Sequence, residues 1–357
     1  MTADTPIESA LTMPSRFYTD PSILDIEKDR IFRHTWQLVG TTQAVAGPES
    51  YFTADVVGEP VVVVRDKEGI LRAFSNVCRH RAGPIALGSG CKSVLRCQYH
   101  GWTYALDGRL IGTPEIDGDE FFDRSTMGMF PLRVETWDRF VFVNFDPEAP
   151  ALPEYLGNIG EQTRSIQKDD LKLAERRDYF IDCNWKVYVD NYLEGYHIPV
   201  VHPALAREIE YSEYRAQIHR YHSQTFAPLR AMRPEEAGKR FYGGEQQEAM
   251  YFWVFPNLMI NIYPDNASTN LIVPLTPCKT LTIFEWFYRD VDSEEARQRI
   301  TEGVAFGEQI QQEDIRICES VQRGLQSVTY DRGRYSVKRE SAVHHFHSLI
   351  GEFLGMQ

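Results

Sequence analysis

Two cysteine–histidine pairs set the strongest constraint on how this chain folds. Cys78 lies two residues before His80, and Cys97 lies three residues before His100. Sixteen residues separate the two pairs, and glycines and a proline surround them. Glycine-rich loops let the backbone approach a bound group closely and point N–H groups at sulfur. The pattern therefore predicts two facing loops, flanked by strands, that hold one metal group together.

Three interpretations of these four residues compete. The first is four core side chains that bind no metal, which the paired spacing disfavours. The second is a structural zinc site, although zinc fingers usually place both cysteines before both histidines. The third is a [2Fe–2S] centre in which two cysteines bind one iron and two histidines bind the other. A loop that carries one cysteine and one histidine favours this third interpretation, because each loop can reach both irons.

A second pair of histidines lies further along the chain. His197 and His202 are five residues apart, which on one continuous helix places them about 140° from each other. The apolar spacing predicts a helix over residues 184–197, and Pro199 is expected to end it. The chain can then turn and bring His202 back towards His197, as a shared metal requires. The alternative is that both histidines pack at a helix end.

Composition excludes several classes of protein. The 357-residue chain has a net charge of −13 and a hydrophobic fraction of 43%. An acidic surface repels phosphate backbones, so nucleic acid is a poor partner. No apolar run approaches the ~20 residues of a membrane-spanning helix, and residues 1–30 do not read as a secretory signal. We therefore expect a cytoplasmic protein without a membrane partner or a disulfide framework, in which Cys91 is a buried spare thiol.

The pattern of strands and helices predicts an α+β fold with two domains. An N-terminal arm and short helix occupy residues 1–35, and an antiparallel β domain follows over 36–148. Residues 149–357 form a second domain, in which an antiparallel sheet is covered by helices. A long amphipathic helix is expected from Ser293, its N-cap, to about Leu325. The strands of the second domain are predicted at 217–226, 249–263, 269–274 and 280–289.

Two motifs resemble a known family. The first Cys-x-His and Cys-x2-His pairs, followed by Gly-Trp, are similar to the signature of Rieske [2Fe–2S] centres. The motif E-x-x-H-x4-H that begins at Glu194 resembles the iron site of the catalytic (alpha) subunit of Rieske non-heme iron oxygenases. Residues 255–275 are most similar to the branch of choline monooxygenase and the glycine-betaine, proline-betaine and carnitine oxygenases. The resemblance covers roughly residues 30–350, and Gln98 departs from it where many members have proline.

The resemblance implies two metal groups, with O2 as a co-substrate. A Rieske [2Fe–2S] cluster would be bound by Cys78, His80, Cys97 and His100. A mononuclear Fe(II) would be bound by two histidines and a carboxylate, which leaves positions open for O2. Its histidines would be His197 and His202. The segment from Glu313 to Leu325 matches the one that supplies the carboxylate, at Asp314, with Glu308, Glu313 and Glu319 as alternatives.

The resemblance also implies how electrons arrive. Glu194, expected on the same helix face as His197, would link that histidine to His100 of a neighbouring subunit, which implies a homotrimer. Asp190 and Asn191 are expected to support this link. NAD(P)H would act only through a separate reductase or ferredoxin. An acidic partner of this kind would meet a basic patch formed by Arg79, Arg81, Lys92, Arg96 and Arg109. The patch contains a single acidic residue, Asp107.

The expected reaction is hydroxylation of a substrate C–H bond, by a monooxygenase or N-demethylase acting on a quaternary ammonium or related N-methyl compound. Aromatic faces bind such cations, and two strands offer them. Alternatives are an aromatic-ring hydroxylating dioxygenase, an aromatic-acid monooxygenase and a non-catalytic, zinc-stabilised binding protein. The histidines at 344, 345 and 347 are expected to be structural. The candidate substrate-binding residues are Tyr251, Trp253, Phe255, Phe284, Trp286 and Tyr288.

Overall fold

The chain divides into two compact units, each built on antiparallel strands. The computed structural model describes residues 5–116, 120–163, 171–230, 248–263 and 266–356. One unit spans residues 32–154, and the other joins the residues up to 31 with those from 155 onwards. The α+β fold class is confirmed. The N-terminal arm, predicted as a separate segment, belongs to the same unit as the second domain.

The first unit contains a seven-stranded antiparallel sheet in the order β1-β10-β9-β4-β3-β2-β5 and a three-stranded sheet in the order β6-β7-β8. Its interior strand β3 carries four consecutive valines, Val61 to Val64, all fully buried. The predicted hairpin of β9 and β10 is present, with Val141 opposite Thr136. The strands are β1 (Gln37–Thr41), β2 (Ser50–Val56), β3 (Glu59–Arg65), β4 (Leu71–Ser75), β5 (Ser89–Cys91), β6 (Leu95–Arg96), β7 (Thr103–Tyr104), β8 (Leu110–Gly112), β9 (Pro131–Trp137) and β10 (Phe140–Asn144).

One expectation about this unit is wrong. Cys91 is exposed rather than buried. It ends β5, which pairs only with β2 and therefore forms the edge of the seven-stranded sheet. All three residues of β5 are exposed, so Cys91 lies on a stretch of this edge that the described residues do not cover.

The second unit contains a seven-stranded antiparallel sheet in the order β11-β17-β16-β15-β14-β13-β12. The predicted run at 217–226 divides into β12 and β13, and the run at 249–263 divides into β14 and β15. Strand β11 was not predicted, because its four consecutive charged residues at 175–178 resemble a solvated loop. The strands are β11 (Lys172–Ile181), β12 (Arg215–Ile218), β13 (His222–Pro228), β14 (Glu248–Val254), β15 (Leu258–Ile262), β16 (Asn266–Thr276) and β17 (Lys279–Tyr288).

Helices cover this second sheet, and one of them is long. Helix α8 begins after Ser293, whose hydroxyl accepts the Ala296 N–H at 3.2 Å, so the predicted cap and helix are confirmed. In the described part of the chain, no helix is long and apolar enough to cross a membrane. The α-helices are α1 (Arg16–Thr19), α2 (Pro21–Glu27), α3 (Leu152–Leu156), α4 (Ile159–Gln162), α5 (Trp185–Leu193), α6 (Ile198–Val201), α7 (Leu205–Glu208), α8 (Glu294–Leu325) and α9 (Ser341–Phe353).

The helix predicted over 184–197 is shorter than expected. Helix α5 begins after Asn184, whose side chain accepts the Lys186 N–H, and ends at Leu193, because Glu194 adopts extended backbone angles. Pro199 does not end this helix; it lies in the first turn of α6, where a missing N–H costs nothing. The chain therefore breaks at Glu194 and Gly195, and His197 and His202 flank a new helix.

Candidate active site

The first site lies in two loops of the 32–154 unit. Cys78 follows β4, and Cys97 lies between β6 and β7. Both cysteines are buried, whereas both histidines are exposed. The rings of His80 and His100 lie 4.6 Å apart between centroids. The loops thus bring together the four predicted residues, with thiols inside and imidazoles at the surface.

Hydrogen-bond donors surround the two sulfurs. The Tyr104 hydroxyl lies 3.3 Å from the Cys78 sulfur. Burial raises the pKa of the Cys97 thiol, and the backbone N–H groups of Tyr99 and His100 oppose that rise. A side chain at Gly83 would place its Cβ 3.2 Å from the Cys97 sulfur, so glycine keeps this approach open. Donors aimed at sulfur are what cluster thiolates require, so these residues fit a Rieske [2Fe–2S] group.

The second site lies in the other unit, at the break after α5. Glu194 accepts hydrogen bonds from the backbone N–H groups of Tyr196 and His197 and contacts the His197 ring at Nδ1, 2.6 Å away. The contact predicted between Glu194 and His197 is therefore present. The sequence analysis expected one continuous helix face to bring these two residues together. A turn does so instead, because α5 has already ended at Leu193.

A second carboxylate holds the other histidine in the same way. The His202 side chain is fully buried, and its Nδ1 lies 2.6 Å from Glu313 of α8. Its Nε2 lies 2.9 Å from Oδ1 of Asp314. The same Asp314 oxygen lies 3.7 Å from Nε2 of His197. Both imidazoles thus bind a carboxylate at Nδ1 and turn Nε2 towards Asp314.

This geometry fits a metal ion held by two histidines and one aspartate. Ligand atoms of His197, His202 and Asp314 all lie within 4.8 Å of one another. Burial lowers the pKa of His202, but the carboxylates of Asp314 and Glu313 outweigh it and raise that pKa overall. A field that holds a proton there also favours a divalent cation. Two histidines and one carboxylate form the donor set of non-heme iron sites.

The other two α8 carboxylates considered as ligands, Glu308 and Glu319, have partners away from this centre. Glu308 accepts from Arg177 at 2.7 Å and from Tyr179 at 2.5 Å. Glu319 accepts the backbone N–H of Asp182. Of the four acids considered from the sequence, the structure brings Asp314 to both histidines and Glu313 to the far side of one.

Of the two α5 residues expected to support the metal centre, the structure brings Asn191 to Asp314, whereas Asp190 contacts Tyr18 and His347. Asn191 donates from Nδ2 to Oδ1 of Asp314 at 2.7 Å. Asp190 accepts from the Tyr18 hydroxyl at 2.6 Å and contacts Nε2 of His347 at 2.8 Å. His347, whose Nδ1 also contacts Tyr335 at 2.6 Å, belongs to this packing network, in line with its expected structural role.

A cavity of about 160 Å³ opens onto the metal centre. One wall is a row across the sheet, in which Tyr251, Asn261, Ser268 and Trp286 are successive cross-strand partners. Phe284 lines the cavity one row further along β17. Tyr251, Phe284 and Trp286 therefore lie where the sequence predicted substrate-binding side chains.

The structure places the other predicted pocket residues elsewhere. Trp253 and Phe255 are fully buried, and neither lines the cavity among the described residues. The Trp253 ring packs against Phe346 of α9, and Phe255 lies beyond the end of β14. Strand alternation correctly put Trp253 on the face of Tyr251, but α9 covers that end of the face. Tyr288, at the end of β17, is also absent from the described lining.

Several site residues were not singled out from the sequence. Glu313 was considered only as an alternative ligand. Tyr192, Asn261, Ser268 and Asn270 also line the cavity. A usable signal existed, because the polar residues Ser268 and Asn270 are two positions apart and therefore lie on one face of β16.

Comparison with known proteins agrees with both sites. Residues 35–133 match the Rieske [2Fe–2S] domain, and residues 168–355 match the catalytic domain of the ring-hydroxylating alpha subunit. The chloroplastic choline monooxygenase of Arabidopsis thaliana is 37% identical over 97% of this chain and 83% of its own length. The carnitine monooxygenase oxygenase subunit of Escherichia coli K12 is 31% identical over 97% and 94%.

Solved structures extend the comparison to the fold. The quaternary ammonium Rieske monooxygenase CntA, in complex with L-carnitine, superposes with a TM-score of 0.84 at 31% identity, covering 99% of this chain and 97% of that one. Naphthalene 1,2-dioxygenase from Rhodococcus has a TM-score of 0.80 at 20% identity, covering 97% and 95%, and shares the fold.

A Cys2His2 loop pair in one unit and a His2Asp centre in the other define a Rieske non-heme iron oxygenase. The chain belongs to this family, with a Rieske domain followed by a ring-hydroxylating alpha-subunit catalytic domain. It is therefore an enzyme that uses a [2Fe–2S] cluster, a mononuclear iron and O2, with electrons from a separate donor. The alternative of a non-catalytic zinc protein is wrong.

Proposed function

We propose that this oxygenase hydroxylates a C–H bond of a small quaternary ammonium or related N-methyl compound. The observation that carries the proposal is the aromatic lining of the cavity beside the metal centre. Rings attract a quaternary ammonium through their electron-rich faces without a formal charge. The lining includes Tyr192, Tyr214, Tyr251, Tyr263, Phe284, Trp286 and Phe306.

The charge around the cavity supports a cationic substrate. Glu194, Glu313 and Asp314 lie at the metal centre and carry three negative charges when ionised. A divalent metal with neutral imidazoles does not cancel three carboxylates, so the centre retains net negative charge. A cation entering the cavity is attracted by this charge, whereas an anionic aromatic acid is repelled.

The residues of this chain orient the reaction. Bound iron would supply activation of dioxygen at its open positions. Glu194 and Glu313 fix the tautomers of the two histidines, and the aromatic walls hold the substrate and exclude water. Overall, one oxygen atom enters a C–H bond and the other leaves as water, with two electrons from the reductase and two protons. An N-methyl group hydroxylated in this way gives a carbinolamine, which releases formaldehyde.

A substrate panel tests this proposal. The iron-loaded enzyme with a surrogate reductase is given choline, glycine betaine, carnitine, benzoate and naphthalene, and coupled oxygen uptake is measured. We expect coupled uptake with at least one trimethylammonium compound, and formaldehyde where an N-methyl group reacts. A cis-diol from naphthalene, or uptake coupled only to benzoate, would replace the proposal with one of the two aromatic alternatives.

We also propose His197, His202 and Asp314 as the ligands of the mononuclear iron. Their convergence within 4.8 Å supports the assignment. His197→Ala is expected to lose the mononuclear iron while keeping the visible spectrum of the Rieske cluster. Iron content measured against cluster absorbance checks this, and full iron retention would contradict it.

The assembly and electron path are proposed from the same residues. Glu194 would connect His197 to His100 of a neighbouring subunit in a homotrimer, and the exposed Arg81, Lys92 and Arg96 would meet an acidic reductase or ferredoxin. Glu194→Ala is expected to keep both metals but stop reduction at the second site. Rapid-mixing spectra of the cluster check this, since unchanged cluster re-oxidation with substrate and O2 would refute the link. The cytoplasmic location stays a prediction.

A further inference from the structure

One wall of the cavity carries neutral polar side chains among the aromatic rings. Asn261 on β15 and Ser268 and Asn270 on β16 line the cavity. Each is less than a tenth exposed. Buried polar groups are costly unless they are hydrogen-bonded, so their presence in an apolar sheet calls for partners.

These side chains form a directed hydrogen-bond chain. The Tyr192 hydroxyl donates to Oδ1 of Asn261 at 2.7 Å. Nδ2 of Asn261 then donates to Oγ of Ser268 at 3.0 Å and to Oδ1 of Asn270 at 3.4 Å. Oγ of Ser268 and Oδ1 of Asn270 therefore each accept a hydrogen bond from Asn261.

The chain ends in two unused donors. Among the described residues, the hydroxyl hydrogen of Ser268 and the amide group of Asn270 donate to no partner. Both residues face the cavity, so the wall presents an O–H and an N–H2 donor to whatever enters. Such a pair binds an oxygen atom that accepts hydrogen bonds.

The charge around the cavity determines whether this oxygen atom belongs to a carboxylate or to an alcohol. Among the described lining residues, the only basic groups are the two histidines of the metal centre, so the polar wall is neutral. A carboxylate placed there would lose its hydration without gaining a cation, and it would face the negatively charged metal centre. An alcohol oxygen needs only neutral donors and carries no charge.

We propose that Ser268 and Asn270 form a subsite for the hydroxyl group of a quaternary ammonium alcohol. This inference rests on the proposed function, which it narrows from quaternary ammonium compounds in general to those with a neutral oxygen end. The aromatic walls hold the trimethylammonium group, and the polar wall holds the alcohol oxygen.

Binding of matched ligands to the iron-loaded enzyme without O2 tests the subsite. Calorimetry compares choline with ethyltrimethylammonium, which lacks only the hydroxyl group, and with glycine betaine, which carries a carboxylate. We expect choline to bind about five- to tenfold more tightly than ethyltrimethylammonium, the range that one or two neutral hydrogen bonds provide. Glycine betaine is expected to bind more weakly than choline.

Variants of the cavity wall show which residues cause the preference for choline over ethyltrimethylammonium. In Ser268→Ala/Asn270→Ala, the ratio of choline to ethyltrimethylammonium affinity is expected to fall to about one, because both donors are gone. Thr269→Val removes a buried hydroxyl from the adjacent position, whose side chain points to the other face of β16, and it is expected to keep the wild-type ratio. The visible spectrum of the Rieske cluster and the thermal midpoint show that each variant is folded.

Three outcomes separate failure of the subsite from failure of the proposed function. If ethyltrimethylammonium binds as tightly as choline in the wild type, the subsite is refuted and the proposed function stands. Tighter binding of glycine betaine than of choline refutes the subsite as well, since a carboxylate is then preferred. If none of the three quaternary ammonium ligands binds, the proposed function fails together with the subsite.

Discussion

At the scale of single residues, two carboxylates hold the imidazoles of the metal centre from behind. Glu194 contacts Nδ1 of His197, and Glu313 contacts Nδ1 of His202, each at 2.6 Å. Such partners fix the orientation and tautomer of a metal-binding histidine and increase its basicity. Glu313 lies next to Asp314 in the chain, so α8 supplies the proposed third ligand and this support together.

Replacing Glu313 therefore weakens metal binding without removing a ligand. Glu313→Ala is expected to lower the affinity of the mononuclear site by about 10–100-fold, and Glu313→Gln by less, because the amide oxygen still accepts a hydrogen bond. Chelator competition with Co(II) measures the affinity, and the Rieske spectrum reports an intact fold. Glu302→Ala, an exposed change on the same helix, serves as control. Equal affinities in Glu313→Ala and the wild type would remove Glu313 from this role.

A second prediction at this scale concerns His222. This buried histidine contacts Oδ1 of Asn158 at 2.9 Å and stacks on His219. Burial, with smaller contributions from His219 and His345, lowers the pKa of His222 to about 3. The unfolded chain takes up that proton near pH 6.5, so the stabilisation is complete above pH 6.5 and is lost as pH falls towards 3.

The size of this loss of stability follows from the difference between the pKa of His222 in the folded protein and in the unfolded chain. Between pH 7 and pH 4, His222 alone is expected to cost on the order of 3 kcal/mol of unfolding free energy. Urea unfolding of the wild type and His222→Gln at several pH values measures it. The variant should start less stable and lose less on acidification. Parallel pH profiles for both proteins would show that His222 does not titrate in this way.

At the scale of elements, the N-terminal helix is fixed to the catalytic unit by a buried ion pair. Nζ of Lys186 on α5 lies 2.6 Å from Oε1 of Glu27 on α2, and both side chains are fully buried. Oε2 of Glu27 accepts the Trp185 indole N–H at 2.8 Å. Burial lowers the pKa of Lys186, and the charge of Glu27 counters that shift.

Breaking one half of this pair leaves an uncompensated charge. Glu27→Gln is expected to destabilise the unit by about 3–5 kcal/mol, whereas Glu27→Leu combined with Lys186→Met restores much of the loss. Urea midpoints measure both. Asp292→Asn, which breaks the exposed pair with Lys172, is the control and should change little. A Glu27→Gln midpoint equal to that of the control would mean that the pair does not hold α2.

Local signals predicted some elements and missed others for physical reasons. Helix α8 was predicted to within one residue, because Ser293 is a strong cap and the apolar spacing is regular. Strand β11 was missed, since its charged residues have partners that the local sequence does not reveal: Arg176 pairs with Glu285 of β17, and Arg177 pairs with Glu308 of α8. The end of α5 was missed because the Glu194 carboxylate accepts the N–H groups of Tyr196 and His197, a local turn that hydrophobic periodicity does not record.

The residues of the site likewise divide into those that the sequence predicted and those that it missed. The structure brings together at two sites the residues that spacing and the family resemblance singled out: Cys78, His80, Cys97, His100, His197 and His202. The pocket was predicted from strand alternation, which places side chains on a face but not on a particular part of it. Trp253 lies on the predicted face of β14, yet α9 covers it and leaves Tyr251 to the cavity. Long-range packing decides that difference.

At the scale of the whole molecule, the proposed trimer makes each active centre depend on two subunits. His100 of one subunit would face Glu194 and His197 of the next, so a subunit without a Rieske site could still work if its neighbour supplies one. In a closed ring the same interface repeats, so each subunit donates once and accepts once. This arrangement can be tested by mixing two inactive variants.

Co-expression of His100→Ala and His197→Ala subunits, each with its own affinity tag, provides the mixture. The first variant lacks a working Rieske site and the second lacks a working mononuclear site, so neither homotrimer turns over. A random trimer that contains both has one interface at which an intact Rieske site meets an intact iron site. About one third of the interfaces in doubly purified trimers are then productive, so this enzyme should regain a substantial part of wild-type oxygen uptake.

The control is the same mixture with Glu194→Ala added to the His100→Ala subunit. That change removes the proposed link from the only productive interface, so activity should disappear again while metal content stays equal. If electrons moved within one subunit, neither mixture would be active, because no subunit holds both working sites. Restored activity in the first mixture that survives Glu194→Ala would keep the ring but assign the electron path to another residue.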